Sequence, residues 1–179
     1  MKYTAWVPSL GRLIAFICFC GGLTWNVSAQ QPWTNITLSA SQRAALLLNA
    51  MTFGEKIAMV AGAGSGTNGN YVGNIPGNSQ LGIPGLNLQD GPAGIGDGVN
   101  NVTAFPAPIA LGASWDIALA RQYGSFMGAE ARGKGVEVLL APMMNMARAY
   151  ESGRAFEGYG EDPCLSGAMA AAEIAGIQG

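Results

Sequence analysis

Two stretches of the sequence hold side chains whose types and spacing could do chemistry. The first is Gln89-Asp90-Gly91-Pro92-Ala93-Gly94, a carboxylate followed by a Gly-Pro-x-Gly turn. Such a turn holds the carboxylate rigidly while its glycines keep the space in front of it clear. A fixed carboxylate can accept hydrogen bonds from two neighbouring hydroxyls at once, which suits it to gripping a sugar. Taken alone, Asp90 is equally suited to capping the turn. The second stretch holds Arg148, Glu151, Arg154, Glu157, Glu161 and Asp162. Charges that alternate over so short a run are expected to pair with one another and hold the loop in shape. One arginine whose planar fork turns to a cavity could instead grip a ligand hydroxyl and a neighbouring carboxylate. Histidine is absent from all 179 residues, which removes Ser-His-Asp and Cys-His catalysis and most zinc sites from these residues. Chemistry here must run on carboxylates, arginine and backbone, and no metal or organic cofactor is indicated.

The elements that must position these groups can be read from caps and periodicity. Ser39 with Gln42 and Thr52 with Glu55 are capping boxes, and Ala44, Leu47, Leu48 and Met51 fall on one helical face. Two short helices packed end to end are expected. From Gly62 to Gly85 the composition turns to Gly, Asn and Ser, expected as a long loop. Within it, Gly64-Ser65-Gly66-Thr67-Asn68-Gly69 matches G-x-G-x-x-G. A dinucleotide site needs a strand before that motif and a helix after it. Here a helix precedes, which disfavours a nucleotide-dependent oxidoreductase. Leu86-Asn87-Leu88 reads as a strand that delivers Asp90 at its carboxyl end.

Ser114 is expected to cap a helix with Asp116 in its first turn. Ile117, Ala120, Tyr123 and Met127 would face inward, and Gly133 or Gly135 would stop the helix. Val136 to Leu140 is a second strand and Asn145 to Gly160 a loop. Asp162 and Pro163 take the N-cap and first position of a last helix, Cys164 to Gln178. The order of strand, loop, helix, strand, loop, helix predicts an α/β fold of parallel strands with crossover helices, each strand buried on both faces. In such folds functional groups gather at the carboxyl ends of strands.

Composition bounds the rest. Hydrophobic residues are 49% and charged residues 11% of the chain, apolar enough for a core and unlike a disordered tail. Lys2 and Arg12 flank an amino-terminal region whose apolar core is Leu13 to Leu23, and Val27-Ser28-Ala29 offers small residues before Gln30. Residues 1–29 therefore read as a signal peptide, with the protein secreted or periplasmic. Eleven apolar residues are too few to span about 30 Å of hydrocarbon, so no membrane association is expected after the leader is cleaved. Without Lys2 and Arg12, seven basic residues face eleven acidic ones, which argues against a nucleic-acid-binding surface. Cys18 and Cys20 leave with the leader, and Cys164 is expected as a small apolar core residue.

As a set the residues become specific. LGIPGLNLQDGPAGIGDG, then TAFPAPIALGASWD, then GAEARGKGVEVLLAPMMNMARAYESGRAFEGYGEDPCLSGAMAAAEIAGIQG, resembles the amino-terminal barrel domain of glycoside hydrolase family 3, the β-glucosidase family. The resemblance covers roughly residues 38–179, with DGPxG, TxFPxPIALxASWD, NxxRxxxxGRxFExxGEDP and xxGIQG in that order. It implies that residues 30–179 are the amino-terminal portion of a (β/α)8 TIM-barrel-like domain. The portion is incomplete, because a closed barrel takes about 200 to 250 residues. Alone it would expose sheet edges and apolar helix faces, and it is expected to be insoluble or poorly folded.

The resemblance further implies a secreted retaining β-glycosidase acting on terminal sugars of oligosaccharides or glycosides. In such enzymes an aspartate attacks the anomeric carbon and a glutamic acid protonates the leaving oxygen, the two standing about 5 to 5.5 Å apart. Carried over residue by residue, Asp90 holds hydroxyls of the terminal sugar and Arg154 lines the same subsite. Arg148, Glu157, Glu161 and Asp162 mainly hold the loop. The chain departs from the pattern at Gly96-Asp97, where members commonly have a basic residue. No residue matches the family's Lys-His pair, nucleophile or acid/base, so this chain alone is expected to be inactive. The alternative is a non-catalytic sugar-binding or interaction protein.

Overall fold

The computed structural model describes residues 31–63, 71–96 and 98–179. The leader, the Gly64–Gly69 motif and Asp97 lie outside the described residues. Both capping boxes form. Ser39 Oγ accepts from the Gln42 amide at 3.3 Å while the Ser39 amide donates to Gln42 Oε1 at 3.0 Å, opening α1 (Ala40–Ala50). Thr52 and Glu55 repeat the exchange at 3.3 and 2.7 Å and open α2 (Phe53–Ala61). Each box satisfies amides that no earlier turn of helix can reach. The apolar face expected on α1 is only partly covered: Met51, just past its end, is buried, but Leu48 is exposed and no residue of α1 itself is buried.

The segment from Gly62 to Gly85 is not wholly loop. Within it β1 (Gly73–Ile75) pairs antiparallel with β2 (Leu86–Asp90), Gly73 opposite Leu88 and Ile75 opposite Leu86. Composition hid this strand because polar side chains supply its cross-strand contacts. Asn74 Nδ2 donates to Asn87 Oδ1 at 2.8 Å, and the Val72 amide donates to Gln89 Oε1 at 2.8 Å. On its other side β2 pairs parallel with β3 (Val138–Leu140), which sets Asp90 opposite Leu140. The sheet order is β1-β2-β3, a small mixed sheet in place of the all-parallel one expected.

A parallel pair needs a crossover, and here it contains α3 (Pro108–Ala113) and α4 (Ile117–Gly133). The sequence reading missed α3, which Pro108 opens from its first position, where the fixed φ is already helical. Ser114 consequently ends α3 instead of opening the next helix. Asp116 is the N-cap of α4, its carboxylate accepting from the Leu119 amide at 3.0 Å. Asp162 caps α5 (Pro163–Ile177), accepting from the amides of Cys164 and Leu165 at 2.7 and 3.2 Å.

The main core lies where α4 meets α5. Ala120, Tyr123 and Met127 are buried there with Leu111, Tyr159 and Met169, while Ile117, expected in the same stripe, is exposed. The helices approach until backbones touch. A Cβ on Gly124 would collide with the carbonyl of Glu173, and one on Gly176 with the carbonyl of Arg121. Cys164 is exposed in the first turn of α5 and is not a core residue. Nor is β3 buried on both faces: Leu139 packs against the core, but Val138 and Leu140 are exposed. Among the described residues no helix is long and apolar enough to cross a membrane.

Candidate functional site

Asp90 is the last residue of β2, and the chain turns sharply after it. The Asp90 carbonyl accepts from the Gly96 amide at 3.0 Å, and the Phe105 amide donates to Ala93 O at 3.0 Å. Gly94 takes φ +113, and a Cβ there would lie 2.5 Å from the Thr103 carbonyl, a backbone position that only glycine fills without strain. Beneath the turn sits Gln89, fully buried, with its amide nitrogen donating to Gly96 O and its oxygen accepting from Val72. The turn is thus tied to β1, to its own far end and to residues 103–105.

Arg154 approaches from the loop after β3, just before the short 3-10 turn Ala155–Glu157. Its Nε donates to both carboxylate oxygens of Glu157 at 2.9 and 3.0 Å, and its Nη2 donates to Oε2 at 2.6 Å. Nη1 takes no part in this pair. Pairing with Glu157 raises the Arg154 pKa above its ordinary value, with a smaller contribution from the negative field of Asp90. Glu157 is held correspondingly low by Arg154.

Asp90, Gly91 to Gly96, Val102 to Ala104, and Arg154, Phe156 and Glu157 line one cavity of about 350 Å³. The two residues singled out in the sequence therefore share a hollow, although they come from different strand ends. The cavity's rim is pinned to α4, since the Thr103 amide and hydroxyl donate to the Glu130 carboxylate at 2.9 and 3.0 Å. A carboxylate and a guanidinium facing one space, with glycines between, can accept from and donate to adjacent hydroxyls of one small polyol. A larger cavity, about 700 Å³ between β3 and the ends of α4 and α5, contains neither Asp90 nor Arg154.

The remaining charges of the run divide. Glu157 pairs with Arg154 and Asp162 caps α5. Arg148 and Glu161 are exposed and form no ion pair among the described residues, so they do not hold the loop as expected. Among the described residues no cluster of three or more Asp, Glu, Cys or His could hold a metal ion. Sequence reasoning missed Gln89, Thr103 and Glu130. Gln89 reads in the sequence as the first residue of the Asp90 turn, a position that gives no sign of its burial; the structure places it inside β2.

Residues 68–179, more than half of the chain, match the glycosyl hydrolase family 3 N-terminal domain. The chain belongs to glycosyl hydrolase family 3. Among curated family members it is 43% identical over 142 residues to a probable β-glucosidase L of Aspergillus terreus, a match covering 79% of this chain and 19% of that protein. Among solved structures it superposes on a β-glucosidase of Streptomyces venezuelae in complex with D-glucose, with TM-score 0.70 and 41% identity over 76% of this chain and 17% of that one. It also superposes on β-glucosidase 3B of Thermotoga neapolitana in complex with glucose, with TM-score 0.68 and 38% identity over 74% of this chain and 21% of that one. The chain spans about a fifth of the length of the family relatives it matches.

Proposed function

We propose that the protein is a secreted, retaining β-glucosidase, and that this chain supplies one side of the subsite for the terminal sugar. The observation that carries this reading is the cavity shared by Asp90 and Arg154. In it the Asp90 carboxylate accepts hydrogen bonds from two adjacent sugar hydroxyls, and the Arg154 guanidinium, steadied on Glu157, donates to a neighbouring one. Held in this way, the ring is oriented for attack at its anomeric carbon. Sequence outside these 179 residues supplies the attacking aspartate and the proton-donating glutamic acid. Family relatives crystallised with glucose support the substrate class, and the family's (β/α)8 architecture supports a site at a strand's carboxyl end. The leader reading of residues 1–29 supports export to the secreted or periplasmic space.

The test is to assay the whole protein on an aryl β-glucoside while following the anomer released by NMR. Hydrolysis with retention of configuration is expected. Glucose binding without turnover would favour the non-catalytic alternative.

A further inference from the structure

We propose that Glu173 is a positioning residue for the cavity: buried in α5, it fixes, through the Tyr159 hydroxyl, the segment that carries Arg154 and Glu157. This rests on the reading of the cavity as a sugar site. Glu173 is 0% exposed and Tyr159 2%, and the Tyr159 hydroxyl donates to Glu173 Oε2 at 2.6 Å. Glu173 Oε1 has no hydrogen-bond partner among the described residues. A leucine would fill the same space without desolvating a carboxyl, so packing alone does not account for a glutamate here. The useful property of the carboxyl is that it fixes where the Tyr159 ring ends.

Tyr159 transmits this to the cavity because its backbone is also confined. A Cβ on Gly112 of α3 would lie 2.5 Å from the Tyr159 carbonyl, and the Ala147 amide closes the base of the loop on Gly160 O at 3.0 Å. Tyr159 stands two residues after Glu157, the partner of Arg154. The 3-10 turn Ala155–Glu157 buries no residue, and the Arg154 side chain is 69% exposed. Buried Tyr159, with buried Gly158 before it, therefore anchors the carboxyl end of this segment. From core to cavity the support runs Glu173, Tyr159, Glu157, Arg154.

Tyr123 reaches the same core from α4 and lies within the field of Glu173. Its hydroxyl lies 3.2 and 3.0 Å from the carbonyls of Pro92 and Pro106, so the cluster also touches the Asp90 wall.

The experiment uses the whole protein and the variants Tyr159→Phe, Glu173→Leu, Glu173→Gln and the double variant Tyr159→Phe/Glu173→Leu. It reads KM and kcat on an aryl β-glucoside, and hydrogen exchange of residues 145–160 against α1 as an internal control. Losing the bond through Tyr159→Phe or Glu173→Leu is expected to raise KM about five- to tenfold with kcat unchanged. Exchange in residues 145–160 should quicken by a similar factor, about fivefold or more, while α1 stays as it was. The double variant should be no worse than either single one. Glu173→Gln, which keeps an acceptor for the hydroxyl, should stay within about twofold of wild type.

The proposal is overturned if Tyr159→Phe leaves both KM and exchange unmoved, or if Glu173→Gln is as damaging as Glu173→Leu. Should Glu173→Leu not fold, Tyr159→Phe and Glu173→Gln decide the matter between them. If the wild-type protein does not hydrolyse the glucoside, the sugar reading falls and the exchange arm alone judges the positioning role. If it is active and Tyr159→Phe changes nothing, the positioning role falls and the sugar reading stands.

Discussion

On the Asp90 side of the cavity the backbone itself is immobilised, by a glycine turn folded over a buried glutamine and stitched to residues 103–105. On the Arg154 side the backbone is a short 3-10 turn with no buried residue, and side chains hold it: Glu157 from the front and Tyr159 from behind. A short carboxylate has little reach, so its backbone must be placed accurately. A long guanidinium can find its partner from an imprecise backbone provided something steadies its fork. The two walls should therefore fail differently when altered.

The largest effect is expected at Asp90. Replacing it with Ala removes a charged hydrogen-bond partner from the sugar and should cost about 2 to 4 kcal/mol of transition-state stabilisation, roughly a 30- to 900-fold fall in kcat/KM. A variant with unchanged kcat/KM on an aryl β-glucoside would remove the role given to Asp90. Next come the glycines. Gly94→Ala must place a Cβ at φ +113 against the Thr103 carbonyl, with an expected loss of about 1 to 3 kcal/mol in denaturant unfolding. Gly153→Ala, beside Arg154, meets nothing within 4 Å and should change stability by less than about 0.5 kcal/mol. Equal losses at the two positions would erase the distinction between the walls.

The pH dependence separates two carboxyls of opposite sign. Burial holds Glu173 above its usual 4.5, so the folded chain keeps a proton that the unfolded chain releases. The corresponding stability is complete below 4.5 and is lost as pH rises through the elevated value. Hydrogen bonds from the Thr52 amide, the Thr52 hydroxyl and Asn78 hold Glu55 below 4.5. Its contribution is present above 4.5 and is lost as pH falls. Melting temperatures across pH for Glu173→Gln and Glu55→Gln should each flatten one arm only. The smallest effect is the coupling of Arg154 to Glu157 in a double-mutant cycle of stability, close to nil because the guanidinium is largely in water.

Local chemistry was legible in the residues, and what depended on distant packing was not. Ser39-Gln42, Thr52-Glu55 and Asp162-Pro163 announce helix starts because a cap is satisfied within four residues of itself. The Asp90 turn shows in its Gly-Pro-x-Gly residues, while the bonds that hold it reach Val72 and Phe105. By contrast β1 exists because Asn74 meets Asn87, thirteen residues on, and no periodicity in a Gly- and Asn-rich run reveals that. Cys164 looked apolar and Ile117 looked like part of the inward stripe, yet both are exposed, since the contact line between α4 and α5 is set by Gly124, Gly128 and Gly176. Asp90 and Arg154, singled out in the sequence, line one cavity. Its supports act across elements: Gln89 reads as a turn residue, Tyr159 as a loop residue and Glu173 as a helix residue, and none signals its distant partner when taken alone.

Whether Asp90 and Arg154 grip one sugar is decided by a crystal structure of the whole protein soaked with glucose. A pyranose is expected in the hollow at the end of β2, with two adjacent hydroxyls donating to the Asp90 carboxylate and a third accepting from Arg154. Glucose bound with neither side chain within hydrogen-bond distance would contradict it.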